Sequence, residues 1–141
     1  MAKTYSPKKV VLSIAGQAIT GYAEGTFISV ENEVDGFTKS VGADGEVARM
    51  ASSNVSGTLT LTLMQTSDSN DLLSSLYTAD RISLSGKFPI HCEDKNGTTL
   101  FSAQEAWVVK PATIEQGNEL SDREWRIDCS ILNIFVGGNN T

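Results

Sequence analysis

The sequence predicts a mainly β protein: an antiparallel β-sandwich or barrel with one peripheral α-helix. Apolar residues alternate with polar ones in short bursts, and glycine- and asparagine-containing turns separate these bursts. Only one segment has apolar residues at helical spacing. The 141 residues, 40% of them hydrophobic, suit a single domain spanning 1–141 with one two-layer core.

The first predicted strands lie in the N-terminal quarter of the chain. Residues 10–14 form one strand, which turns at 15–17, and residues 27–34 form a stronger one. Because strand side chains alternate between faces, the second strand has two predicted sets of residues. The inward set is Ile28, Val30 and Val34, and the outward set is Ser29, Glu31 and Glu33.

A hairpin is predicted between residues 38 and 51. The reversal Gly42-Ala43-Asp44-Gly45 has glycines where a tight turn needs positive φ. The polar segment 32–54 is longer than connections inside small sandwiches normally are. We therefore expect it to project from the body. The polar segment 111–122 is also poorly explained as part of a compact monomer.

Residues 57–65 form the most regular predicted strand, with leucines on one face and threonines on the other. Residues 67–77 follow with capping residues, early acids and then apolar side chains at i, i+3 and i+4 spacing. This second segment is typical of a helix packed on a sheet.

The C-terminal half predicts a second hairpin and a final strand. Asn96-Gly97 is a strong turn signal between strands 88–93 and 99–104, and the alternation changes phase near Gln104, which predicts a bulge. The final strand, 124–131, is expected to bury Trp125, Ile127, Cys129 and Ile131. Residues 137–141 are predicted to be a flexible tail.

No pattern indicates a catalytic, cofactor or metal site. His91, the only histidine, and Cys92 point to opposite faces of a strand, so they cannot form a nucleophile–base pair. One histidine and two distant cysteines do not make a zinc site. The turn at 42–46 lacks the remaining acids of a calcium hand and opens no helix. We therefore expect no enzyme, no cofactor and no metal.

The remaining candidates for chemistry are two thiols and two indoles. Cys92 and Cys129 lie in alternating apolar patterns, which favours free buried thiols over a disulfide. Trp107 and Trp125 are interpreted as core or interface anchors, with a ligand-stacking platform as the alternative.

The charge balance disfavours tight binding to nucleic acid. The chain has 11 basic and 17 acidic residues, a net charge of −6, and its basic residues are not clustered. A negatively charged protein surface repels nucleic acid and would still let it move past. The sequence shows no secretory signal and no apolar run long enough to cross a bilayer, so we expect a soluble protein made in a cytoplasm.

The predicted sheet edges favour self-assembly. They contain few of the lysine and proline residues that prevent pairing between sheet edges, so an edge can pair with another copy. Edge pairing around a ring makes one large barrel, which encloses an aqueous channel by roughly 16 to 18 strands. Head-to-tail contacts that do not close into a ring propagate as filaments. The projecting 32–54 segment could connect one ring to the next.

Several segments, in order along most of the chain, resemble the tail tube proteins of contractile-tailed bacteriophages. They are Gly42-Ala43-Asp44-Gly45-Glu46-Val47, Ser53-Asn54, the 57–61 strand, Gln65-Thr66-Ser67 before Asn70-Asp71-Leu72-Leu73, Glu124-Trp125-Arg126-Ile127 and the 134–138 ending.

The resemblance implies a structural virion protein whose six-fold rings stack into an inner tail tube. Its expected partners are other copies of itself, the tail sheath protein, and baseplate and tail-terminator proteins. Phage DNA would pass through the lumen without tight binding. The expected location is the virion tail, after assembly in the host cytoplasm.

The resemblance also implies two functional surfaces. The lumen-lining residues would be Glu31, Glu33, Thr58, Thr60, Thr62, His91, Glu93, Ser102 and Gln104. The inter-ring stacking residues would be Asp35, Lys39, Asp44, Glu46 and Arg49. The alternative interpretations are ordinary solvated residues for the first set and charges that keep a mobile loop soluble for the second.

Three other functions fit the sequence less well. One is a ring protein of a bacterial contractile secretion system. A second is a monomeric β-sandwich module that binds carbohydrate or peptide through Trp107 or Trp125. A hydrolase using scattered acids comes last.

Overall fold

The computed structural model describes residues 2–139 and confirms the mainly β class. A 3-10 turn, Pro7–Lys9, precedes the first strand, and within the described residues α1 is the only α-helix. The elements are β1 Val10–Ile14, β2 Gln17–Ala18, β3 Ile28–Asn32, β4 Phe37–Val41, β5 Val47–Ala51, β6 Gly57–Leu63, α1 Ser69–Ser83, β7 Phe88–Asp94, β8 Leu100–Lys110, β9 Arg123–Cys129 and β10 Asn133–Phe135.

Eight strands form one antiparallel sheet in the order β2-β1-β7-β8-β9-β6-β3, with β10 also paired to β8. Cys129 of β9 pairs with Ala106, and Asn133 of β10 pairs with Ser102. Strands β9 and β10 therefore pair with β8 in the same register, so β10 lies beside β8 as a continuation of β9. Strands β4 and β5 form a separate two-stranded sheet.

The large sheet bends where two neighbouring strands change phase together. On β8, Ala103 and Ala106 are both buried and the two residues between them are exposed, which confirms the predicted bulge. Along β9 and its continuation into β10, Cys129 and Leu132 are buried, and Ile131 is 55% exposed. The prediction that Ile131 faces the core is wrong because the strand changes phase before it.

The bend divides the sheet into two halves. We call β3, β6, β9 and residues 106–110 of β8 the β3 half, and β1, β2, β7, β10 and residues 100–103 of β8 the β1 half. One cluster of buried side chains holds Leu59, Leu61 and Leu63 of β6 together with Leu12 and Ile14 of β1. Each such side chain contributes roughly 1.5–3 kcal/mol by burial. Strand β3 also lines one groove together with residues of β1, β7 and β8 in the β1 half, although β6 and β9 separate them in the strand order. The halves thus face each other across one core.

Helix α1 packs against β8 and contributes Leu73, which is fully buried, to the core. The Trp125 indole N–H donates to Asn70 Oδ1 at 2.9 Å, which ties the start of the helix to β9. The helix extends past the predicted end and stops at Leu84, where φ is 59°. No helix within residues 2–139 has the length and hydropathy to cross a bilayer.

The end predicted for the second strand and the flexibility predicted for the C-terminal tail both differ from the structure. Val34 is 42% exposed because β3 ends at Asn32, so its predicted inward position is wrong. In the predicted tail, the Thr99 hydroxyl donates to Gly137 O at 2.9 Å and accepts from Gly137 N–H at 3.0 Å. Asn139 also forms a bridge with the 96–99 turn. The tail is therefore anchored through 139, and 140–141 lie outside the described residues.

Candidate assembly surfaces

The predicted lumen-lining residues share the outer face of the sheet but divide between its halves. The β3 half carries Glu31, Thr58, Thr60 and Thr62, with Glu33 just after β3; the β1 half carries His91, Glu93 and Ser102, and Gln104 lies at the bend. Because the halves face each other across the core, their outer faces point in opposite directions. A single lumen wall can therefore use only one of the two groups.

Sequence reasoning missed three charged residues on the outer face of the β3 half. The register of β6 and β9 places the three threonines opposite Asp128, Arg126 and Glu124. The sequence contained the information needed to find them. Alternate residues of β9 were predicted to point inward, so the residues between them must point outward.

The outer face of the β3 half is a connected polar surface with an excess of negative charge. Thr58 Oγ1 lies 3.2 Å from Asp128 Oδ1 and 3.3 Å from Glu33 Oε2, and its single hydrogen can be donated to one of them at a time. Arg126 Nε lies 3.5 Å from Asp128 Oδ1. Lys110 of β8 is the cross-strand partner of Arg126 and lies on the same face. With Glu31 and Glu124 included, four carboxylates outnumber these two cations.

Strand β3 forms one margin of the sheet, and its odd-numbered residues use their backbone groups toward β6. The Thr62 N–H donates to Phe27 O, and the Glu33 N–H donates to Ser56 O, both at 2.9 Å. Hydrogen-bonded pairs alternate in an antiparallel ladder. The even-numbered residues of β3 therefore point their N–H and C=O groups away from the sheet.

This outer edge of β3 is open. Within residues 2–139, no backbone partner meets the N–H or C=O groups of Ile28, Val30 and Asn32. A groove of about 410 Å³ runs beside the edge, with Phe101 and Cys92 of the β1 half in its wall. An exposed edge of this kind is a template for another strand.

The opposite margin of the sheet, at β1, is closed by the chain itself. The Val10 N–H donates to Pro7 O, and the Ile19 N–H donates to Leu12 O at 2.9 Å. Strand β2 pairs with the end of β1. Of these two margins, as described by residues 2–139, the β3 margin alone offers a row of free backbone groups over the length of a strand.

The β4–β5 hairpin stands apart from the body, and all ten of its strand residues are exposed. The predicted reversal is confirmed, with the expected positive φ at Gly45 but not at Gly42. The Gly45 N–H donates to Gly42 O at 3.0 Å, and the φ of Gly45 is 86°. Asp44 Oδ1 accepts from the Glu46 N–H at 3.1 Å. These bonds give the tip a defined shape.

The five predicted stacking residues occupy three places on the hairpin. Lys39 and Arg49 lie directly opposite each other in the middle of the two strands. Asp44 and Glu46 lie at the tip, and Asp35 lies just before β4. The basic pair and the acidic tip are therefore distinct features.

The two buried thiols are in their protonated, unreactive form at neutral pH. Cys92 and Cys129 are free and buried, as predicted. Burial, with smaller effects from Asp94 and Glu93, raises the pKa of Cys92 to about 12; burial, helped by Asp128, raises the pKa of Cys129 to about 11. Both thiols stay protonated at neutral pH. Residues 2–139 contain no cluster of three or more side chains that could hold a metal ion.

Comparison with known proteins gives a consistent result. A family model described as bacteriophage PhiTE tail tube protein matches residues 2–137. Structural protein ORF10 of Pseudomonas phage KPP10 is 36% identical over 147 aligned residues, which cover 96% of this chain and 83% of that protein.

Solved structures share the fold at low sequence identity. The sheath/tube terminator of the extracellular contractile injection system PVC aligns with a TM-score of 0.64 and 11% identity, over 96% of this chain and 99% of that one. A chain of the PVC sheath–tube complex aligns with a TM-score of 0.57 and 14% identity, over 94% and 91%. The anti-feeding prophage cap aligns with a TM-score of 0.61 and 8% identity, over 96% and 93%.

Proposed function

The chain belongs to the bacteriophage tail tube family and is a structural protein of a phage tail; from this premise, we propose that its copies form six-fold rings that stack into the tube through which phage DNA is delivered. Membership of a phage family favours this function over a secretion-system ring. A binding module that stacks its ligand on Trp125 is disfavoured, since that side chain is 3% exposed and hydrogen-bonded to Asn70.

The observation that carries the proposal is the open margin at β3. A strand from a neighbouring copy would pair with the free groups of Ile28, Val30 and Asn32. At the other margin of the β3 half, residues 107–110 of β8 pair only with β9 among the described strands, so they could supply that strand. Four strands from each of six copies would make a barrel of about 24 strands, wide enough for an aqueous channel.

In this arrangement the outer face of the β3 half is the lumen wall. It carries Glu31, Glu33 and the threonines of the predicted set, together with Glu124, Arg126 and Asp128 of β9 and Lys110 of β8. Carboxylates repel DNA phosphates within a Debye length of about 8–10 Å, and hydroxyls bind them weakly. The DNA would slide without stalling.

The outer face of the β1 half would then point away from the lumen. This half carries His91, Glu93 and Ser102, which belong to the original lumen prediction but lie across the core from the β3 wall. We propose that this side meets the tail sheath. Terminator and baseplate proteins would meet the two ends of the tube, and the β4–β5 hairpin would connect successive rings.

Negative-stain microscopy of the purified full-length chain tests the proposal. We expect rings or tubes at high protein concentration, or on addition of a tail nucleator. The matched measurement is size-exclusion chromatography over a concentration series. A particle that stays near 15.1 kDa at every concentration, with no tubes on the grid, would contradict the proposed function.

A further inference from the structure

One face of the β4–β5 hairpin holds two cations side by side. Lys39 and Arg49 are cross-strand partners. The Gly42 N–H donates to Glu46 O at 2.8 Å, so the alternation of the ladder makes Lys39 and Arg49 a non-hydrogen-bonded pair. Opposing side chains are closest at such positions, and like charges there destabilise a hairpin. This arrangement needs a compensating partner.

The same hairpin face is apolar around the two cations. Phe37, Val41 and Val47 alternate with them and are 58–60% exposed. The Arg49 guanidinium lies 4.4 Å from the centre of the Phe37 ring. Within residues 2–139, neither cation forms an ion pair. The partner that would suit this face is therefore both acidic and apolar.

The loop between β8 and β9 has this complementary chemistry. Ile114 and Leu120 are 74% and 66% exposed. Carboxylates at Glu115, Glu119 and Asp122 lie among them, and none forms an ion pair within the described part of the chain. This loop is one of the two segments, with 32–54, that the sequence pattern does not explain as part of a compact monomer.

The loop is held in shape before any association. The Ser121 N–H donates to Gln65 Oε1 at 3.0 Å, and the Ser121 hydroxyl donates to Glu115 O at 2.9 Å. Arg123, which is 9% exposed, donates from Nη1 to Ser121 Oγ at 2.9 Å. A loop fixed in this way loses little conformational freedom on binding.

The hairpin and the loop lie at opposite ends of the β6–β9 pair. The hairpin precedes Gly57, which pairs with Cys129, and the loop ends at Arg123, which pairs with Leu63. Seven residues of strand separate the two ends by about 20 Å. Copies placed end to end along the strand direction would bring the hairpin of one to the loop of the next. Such a head-to-tail contact leaves both outer ends free, so it propagates.

We propose that the hairpin face of Phe37, Lys39, Val41, Val47 and Arg49 docks on the 114–122 loop of a copy in the adjacent ring. The two cations lie against the loop carboxylates, and the apolar side chains of both surfaces cover each other. The inference rests on the proposed tube function and adds the acceptor surface for the hairpin.

Charge reversal on each side tests the docking. We expect the K39E/R49E and E115K/E119K proteins each to raise the critical concentration for tube growth about a hundredfold, because like charges then face each other. The protein with all four substitutions should polymerise within about threefold of wild type. An equimolar mixture of the two double variants should also form tubes, because each surface then meets its opposite.

Matched controls separate docking from a change of net charge. The K8E/K9E and E24K/E93K proteins alter exposed charges by the same amounts and should polymerise like the wild type. Combining K39E/R49E with E24K/E93K restores the net charge but not the docking pair, so this protein should form no tubes.

Tube length on negatively stained grids and the pelleted fraction are the readouts, with thermal unfolding as the check on folding. Wild-type tubes combined with no rescue in either the four-substitution protein or the mixture would overturn the docking inference alone. Rescue by E24K/E93K would overturn it as well. An absence of wild-type tubes would count against the proposed function itself.

Discussion

Proline at Asn32 should block lateral assembly without unfolding the subunit. Asn32 is exposed at the end of β3, and its N–H points away from β6. Proline removes that donor and places a ring where a neighbouring strand would pair, while edge positions tolerate proline within the fold. We expect the free energy of unfolding of the N32P monomer to change by less than about 1 kcal/mol.

The effect on assembly follows from the number of bonds at this edge. Ile28, Val30 and Asn32 each offer one N–H and one C=O to a neighbour. Proline removes one donor and displaces the strand at the adjacent bond, a loss of two hydrogen bonds at about 1 kcal/mol each. A lateral contact weaker by about 2 kcal/mol corresponds to about a thirtyfold lower association constant, and the loss recurs at every contact in the ring.

The neighbouring position provides the control. The Glu31 N–H points toward β6, so E31P should lose a bond inside the subunit and lower the free energy of unfolding by about 1–3 kcal/mol. Urea unfolding measures the stability of both variants, and analytical ultracentrifugation measures their assembly. An N32P protein that assembles like the wild type, or one that is destabilised as much as E31P, would refute the assignment of β3 as the open edge.

Three further predictions concern the hairpin, the lumen and the thiols. Deleting residues 41–47 should leave a folded subunit that forms no long tubes on electron microscopy grids, because the contact between rings is lost. In phage carrying E31K/E33K, DNA ejection should slow while tubes still form, and E93K on the opposite face should leave the ejection rate unchanged. Because the pKa values of Cys92 and Cys129 are raised in the folded state, the contribution of these thiols to the free energy of unfolding should be constant below about pH 9 and fall by about 1.4 kcal/mol per pH unit and thiol up to about pH 11. The C92A/C129A protein should show a much flatter alkaline slope.

Each of these predictions has a result that would contradict it. Long tubes from the deletion protein would exclude the hairpin as the ring connector. Normal ejection by E31K/E33K phage would remove the β3 half from the lumen wall. An unchanged alkaline slope in C92A/C129A would show that the thiols ionise as freely in the folded protein as in the unfolded one.

Local sequence patterns predicted most of the individual elements. The leucine–threonine alternation gave β6 with its buried face, and Gly42 and Gly45 gave the hairpin reversal. The bulge near Gln104 was visible as a change of phase. In each case the signal lies within a few neighbouring residues, where strand and turn geometry act directly.

The errors arose where distant segments determine the geometry. The outward turn of Ile131 depends on β10 keeping its register with β8, which the pattern of 124–131 does not contain. The placement of the predicted lumen-lining residues, which stays a prediction, also depends on distant segments. Alternation assigns the two faces of each strand, but the bend that crosses β8 and the β9–β10 line decides which way an outer face points. His91 and Thr60 are therefore both outward and yet lie on opposite sides of the core.

Residue-level amide exchange in the soluble subunit and in assembled tubes shows whether neighbouring copies complete the sheet at β3. We expect the amides of Ile28, Val30 and Asn32 to exchange rapidly in the subunit and to become protected in tubes. Those of Ser29 and Glu31 should be protected in both states. Rapid exchange of the three even-numbered amides in assembled tubes would contradict the claim that neighbouring copies complete the sheet at β3.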